Sequence, residues 1–97
     1  MKDGEIVTVV TMAGEFVGKL AGTEDGIKLI DPRMVVNGPE GNMGFARGIC
    51  QTGIENPTEV LITNPLFVTD TNEMVENAWR EATSGIAIAS AGSKIKV

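Results

Sequence analysis

Few side chains in this chain of 97 residues are equipped to do chemistry, and their spacing narrows what that chemistry could be. Arg47-Gly48 sets a planar guanidinium beside a permissive backbone position. Such a guanidinium can stack on a base, clasp a phosphate or close an ion pair at a strand end, and residue type alone leaves all three open. Asp25 and Lys28 flank Gly26 at a second place where polar groups converge. Glu24-Asp25 offers two carboxylates, half of what a hard cation would require, but no third ligand lies nearby in sequence and a solvated turn is the expectation. Cys50 is the only cysteine and the chain has no histidine, so no Cys–His nucleophile can be assembled; a core thiol is expected. There is also no tyrosine, no Gly-Lys-Ser/Thr phosphate loop and no nucleophile beside a base. The expectation is a protein that is not an enzyme, with no cofactor and no metal.

The elements that must hold these residues read mostly as strands. Glu5 to Met12, EIVTVVTM, is rich in β-branched residues and predicts a first strand, with Ala13-Gly14 as its turn. Gly14, Gly18, Gly22 and Gly26 then recur every four residues. A membrane helix with small residues at that interval is excluded by Glu15, Lys19, Glu24, Asp25 and Lys28, and a soluble helix by the cost of interior glycine, roughly 1 kcal/mol each. An even spacing also keeps residues on one strand face, which leaves a sharply bent hairpin. Residues 15–22 alternate, with Phe16, Gly18 and Leu20 on one face and Glu15, Val17 and Lys19 on the other. Asp25-Gly26 turns the chain into a third strand over 27–36, which Pro32 should bend or mark as an edge. Asn37 to Asn42 is a loop, 43–50 a fourth strand, and 58–63 a fifth, bracketed by Asn56-Pro57 and Asn64-Pro65.

After Asp70 the period changes. Met74, Val75, Ala78, Trp79 and Ala82 form a helical apolar stripe, predicting a helix over 71–84 with its stripe docked on the barrel or on a neighbouring subunit. Asp70 and Glu73 have the form of a capping box, Gly85 sits at the C-cap place, and Glu76 and Arg80 make an i,i+4 pair. The remainder, GIAIASAGSKIKV, alternates at Ile86 and Ile88 and again at Ile95 and Val97, predicting one or two short strands. The organisation expected is a β-barrel over 1–69 carrying a helix-and-strand extension over 70–97 in the same domain.

Composition sets the outer limits. Hydrophobic residues make up 42% of the chain, but with three Phe, one Trp and no Tyr the core would be thin, so association with copies of itself is expected. The charges in MKDGEIVTVV do not suit a signal peptide, no segment reads as a membrane span, and the single cysteine suits a reducing compartment; a cytoplasmic protein is the expectation. A net charge of −5 argues against broad nucleic-acid binding, which depends on Lys and Arg neutralising phosphates, and leaves room only for a local site.

Val7, Val9, Gly14, Gly18, Leu20, Leu29, Asp31 and Val35 follow alternating hydrophobics, a turn glycine, Gly-x-Leu and Leu-x-Asp. In this the chain resembles the first motif of the Sm-like family (LSm and Hfq proteins), the small Sm-like proteins of phages in particular. Arg47-Gly48 is similar to the Arg-Gly of the family's second motif, and the match covers roughly residues 6 to 50. The resemblance implies a small, strongly bent, five-stranded antiparallel barrel that closes into a ring with copies of itself. It further implies single-stranded, uridine-rich RNA as a partner, bound in the manner of an RNA chaperone, with Arg47 and Gly48 at the pore. The loop before the third strand is shorter than the family's and lacks its base-gripping Asn. Lys28 or Asp25 would stand there, neither repeating the paired donor and acceptor of an amide. The alternative is a homo-oligomeric scaffold that binds no nucleic acid: at −5 per copy, a ring of five to seven would carry between −25 and −35.

Overall fold

The computed structural model describes residues 1–84; the strands expected over 86–97 and the cap expected at Gly85 lie outside the described residues. Among the described residues the protein is mainly β, one antiparallel sheet followed by one helix. Strand β1 (Ile6–Thr11) turns tightly into β2 (Gly14–Gly22), which turns into the long β3 (Ile27–Asn37). A short turn at Pro39–Gly41 leads to β4 (Met43–Phe45), a loop to β5 (Glu59–Ile62), then β6 (Phe67–Asp70) and α1 (Glu73–Thr83). The lateral order is β4-β3-β2-β1-β6, with β5 also on β3, beside the half of that strand that β4 leaves free.

Six strands form rather than five. The added one, β6, pairs with β1 from Val7 to Val10, and the backbone N–H of Leu66 donates to the Val10 carbonyl at 2.8 Å. The expected fourth strand over 43–50 stops at Phe45: the Ala46 N–H makes a last bond to β3, to the Met34 carbonyl at 2.9 Å, and the chain then enters the loop that leads to β5. Strands β5 and β6 sit at opposite ends of the lateral order and run in the same direction across it, yet only residues 63–66 join them. In a flat sheet they would be about 19 Å apart laterally, and the connection would also have to retrace a strand length. The sheet therefore curls. Val60 and Ile62 of β5 and Val68 of β6 accordingly pack against one buried cluster of Val7, Val9, Phe16, Leu20 and Leu29.

The curl is centred on a bulge. Lys19 pairs with Ile30 and Val17 with Arg33, so Gly18 faces both Asp31 and Pro32. Asp31 adopts φ 51°, which tilts its peptide groups out of the β2 ladder. Its N–H donates to the Thr58 carbonyl at 2.8 Å, and its carbonyl accepts from Trp79 Nε1 at 2.8 Å. A Cβ at position 18 would lie 3.0 Å from Leu29 Cβ and 3.1 Å from the Ile30 carbonyl oxygen, so glycine lets the two strands close over the bulge.

A second cluster lies on the outer face of the sheet: Ile6, Val17 and Trp79, with Val35, Phe45 and Val75 against it. Val17, which alternation assigns to the wet face with Lys19, is fully buried there under α1. The helix docks by Val75 and Trp79, while Met74 remains 72% exposed and Ala78 is exposed as well, so only part of the expected stripe packs. The start of the helix also differs from expectation. Asp70 stays in the ladder opposite Val7, and Thr71 Oγ1 shares a hydrogen bond of 2.8 Å with Thr8 Oγ1, so the first turn cannot begin until Asn72. Asn72 Oδ1 accepts from the Val75 N–H at 2.8 Å and is the N-cap. Asn72→Ala is expected to lower stability by about 1 kcal/mol and Asp70→Ala by much less, read from urea unfolding midpoints; the reverse ranking would return the cap to Asp70. The Glu76–Arg80 pair forms at 2.7 Å. Among the described residues no helix is long and apolar enough to cross a membrane.

Candidate nucleic-acid interface

The four residues singled out in the sequence fall in two places. Asp25 and Lys28 line a shallow groove of about 390 Å³ beside the β2–β3 turn, together with Glu24, Glu59, Gly26 and Leu61. The turn is set by Gly26 at φ 136°, which brings its backbone against the end of β5; Lys28 then pairs with Leu61 across the β3–β5 ladder. Lys28 Nζ lies 3.6 Å from Glu59 Oε1, with both side chains about half exposed. Exposed pairs of this kind contribute about 0–1 kcal/mol, so this contact orients the ammonium more than it stabilises the fold. Three carboxylates face one ammonium, which leaves the groove net negative and suits a hydrogen-bonding or cationic ligand better than a phosphate chain.

Arg47 and Gly48 do not line that groove. They belong to the loop between β4 and β5, which is closed on itself: Gly48 bridges Glu55, and the Asn56 N–H donates to the Arg47 carbonyl at 2.6 Å. Asn56 turns the chain at φ 47°, and the buried Pro57 returns it towards β5. Arg47 Nη1 is 3.7 Å from Glu55 Oε2, and the two side chains are 62% and 67% exposed. That is an ion-pair distance without a close hydrogen bond, so most of the guanidinium's face and donors point to solvent. Ile49 packs on the inner cluster while Cys50 is exposed. The expected core thiol is thus corrected: beyond Phe45 the chain is no longer a strand, and Ile49 takes the inward position beside it. Among the described residues no group of three His, Cys, Asp or Glu side chains is arranged to hold a metal ion.

One charged residue that sequence reasoning left out is Arg33, 6% exposed and paired in register with Val17 next to the bulge. Its Nη1 donates to the Pro32 carbonyl at 2.8 Å. Burial pushes the guanidinium below its ordinary value, and the neighbouring Asp31 carboxylate opposes that shift. The side chain stays charged near neutrality regardless. The signal for this site was Asp31-Pro32 inside an otherwise regular strand, a dipeptide that a sheet accommodates at a bulge.

Comparison of the chain with protein-family models, with curated proteins and with solved structures finds no match.

Proposed function

We propose that the chain is a ring-forming subunit of the Sm-like kind, whose function depends on assembly with copies of itself. The observation that carries this reading is the pair of unlike open edges. Beyond β1 lies β6, and beyond β3 lies β5; among the described residues neither has a further strand partner. Leu61, Leu66 and Phe67, on or next to these edges, are 50%, 58% and 55% exposed. The strands are only four residues long each, so it is their exposed apolar side chains rather than their length that favour a partner, and pairing one kind of edge with the other generates a closed ring when the rotation permits. Light scattering coupled to gel filtration is expected to give a discrete oligomer of several times the 10.2 kDa subunit mass. A single species at subunit mass at micromolar concentration overturns the reading.

The reading extends to single-stranded, uridine-rich RNA on one observation, the exposed and loosely held Arg47 guanidinium. Single-stranded bases are taken by stacking and edge hydrogen bonds, both of which a guanidinium supplies and an ammonium does not. Arg47→Lys is expected to weaken binding of a short uridine-rich oligonucleotide about ten-fold, as the loss of one stacked base of about 1–3 kcal/mol implies, although charge is kept. Fluorescence anisotropy checks this. Unchanged affinity removes Arg47 from the site, and no binding by the parent protein leaves the ring as an assembly scaffold without nucleic acid.

A further inference from the structure

Strand β4 has one side without a partner. The Ala46 N–H donates to the Met34 carbonyl at 2.9 Å and the Gly38 N–H to the Asn42 carbonyl at 2.6 Å, and between them Gly44 stands opposite Val36. Opposed pairs in an antiparallel ladder alternate between bonded and unbonded. The N–H and C=O groups of Met43 and Phe45 therefore point away from β3, and among the described residues no strand lies on that side. Beside it, between β4 and α1, runs a groove of about 320 Å³ lined by Val35, Met43, Phe45, Met74, Val75 and Ala78, and none of the residues lining it is charged. Met74 and Met43 are 72% and 53% exposed.

We propose that this side of β4 pairs with β4 of a second copy, antiparallel about a two-fold axis through Gly44, and that each groove receives Met43 and Phe45 of the other copy. The register is self-complementary. Met43 falls opposite Phe45 of the other copy and Phe45 opposite its Met43, so every outward N–H and C=O of the two strands finds a partner. Gly44 then meets Gly44 as an unbonded pair, at about 4.5 Å between Cα atoms, and nothing lies within 4 Å of a Cβ at that position to obstruct the approach. Side chains at 43 and 45 share one face of the strand, the face on which Val35 and Phe45 meet the helix, so the apolar side chains of one copy continue over the groove of the other. Charge favours the same surface: copies at −5 each repel, and contact through a patch with no charged lining residue keeps like charges apart. The contact is separate from the β5 and β6 edges on which the ring reading rests, so it joins two rings, or two subunits where no ring forms.

Gly44→Cys in a Cys50→Ser background, with oxidised glutathione as the oxidant, tests the proposal. The introduced thiols would face each other across an unbonded pair, within the Cα separation of about 4.4–6.8 Å that a disulfide spans. Those of Asn42→Cys, four residues out of register, would be about 14 Å apart. Bridged dimer is expected to form at least about ten-fold faster from Gly44→Cys than from Asn42→Cys, because paired chains hold the thiols at a high effective concentration. Equal rates overturn the proposal. So does an absence of bridging, and a thiol at position 44 that is then slow to alkylate assigns this side of β4 to a different occupant. Met43→Pro is the second arm: Asn42 already has the extended φ −71° and ψ 137° that a residue before proline adopts, and the N–H removed is an outward one. Light scattering should give half the parent's mass, and an unchanged mass overturns the proposal while leaving the ring intact. A parent of twice the subunit mass that Met43→Pro reduces to single subunits supports this pairing and overturns the ring instead. Should the proline variant not fold, the bridging rates decide alone.

Discussion

Trp79→Ala is expected to lower the free energy of unfolding by about 3–5 kcal/mol, the range for removing a large aromatic side chain from a packed site. Trp79 is 3% exposed and joins Ile6 of the first strand and Val17 of the second under the helix. Its removal therefore opens a cavity against two strands at once. It also leaves the Asp31 carbonyl, already withdrawn from the β2 ladder by the bulge, without the indole N–H it accepts from at 2.8 Å. Trp79→Phe separates the two contributions, retaining most of the ring and losing the donor, and should cost about 1–3 kcal/mol. Guanidinium chloride unfolding of both variants provides the measurement. Equal midpoints for parent and Trp79→Ala would mean that the helix contributes nothing to the stability of the sheet.

Gly26→Ala is expected to be nearly as damaging, at about 2–4 kcal/mol, because left-handed backbone strain and a steric clash add. Residue 26 has φ 136°, and a Cβ there would stand 2.8 Å from the Ile62 carbonyl oxygen, a backbone atom with no freedom to swing aside. The substitution should push β5 away from β3 and so loosen the inner cluster where Val60 and Ile62 close it. Gly44→Ala is the control, since nothing lies within 4 Å of a Cβ at that position. It should stay within about 0.5 kcal/mol of the parent, and a Gly26→Ala variant as stable as Gly44→Ala would refute the close approach.

The first three strands and the helix were legible because β-branched runs, turn glycines and a helical stripe each stated a local preference that the fold accepted. β6 was not, since Phe67, Thr69 and Asp70 face solvent and Val68 alone turns inward, giving no alternation to read between Pro65 and the helix start. Val17 was misassigned for a related reason: alternation identifies two faces but not that a helix will later cover the second. At the helix start, Asp70 and Asn72 are both competent caps, and what decides between them is the Thr8–Thr71 hydrogen bond, a partner 63 residues away. The candidate site was legible as residue types only. Asp25 and Lys28 were close in sequence and meet in one groove, but the carboxylates that hold the two cations, Glu59 for Lys28 and Glu55 for Arg47, come from the second half of the chain.

The pairing of β6 with β1 has a consequence for the order of events in folding. Strands β1, β2 and β3 are joined by tight turns and can form as soon as they are made, whereas β6 must return to a strand that precedes it by some 60 residues, and Trp79 must find Asp31 across 48. Distant pairings of this sort form late because loop closure comes before any contact rewards it. At about 5–20 residues per second, a chain on the ribosome displays an unprotected β1 edge for several seconds before β6 emerges to cover it. The meander of the first 37 residues is thus the stage at which the chain is most open to wrong partners. The same delay sets when the sheet is finished: β1 has no partner on its outer side until the chain has been made through Asp70.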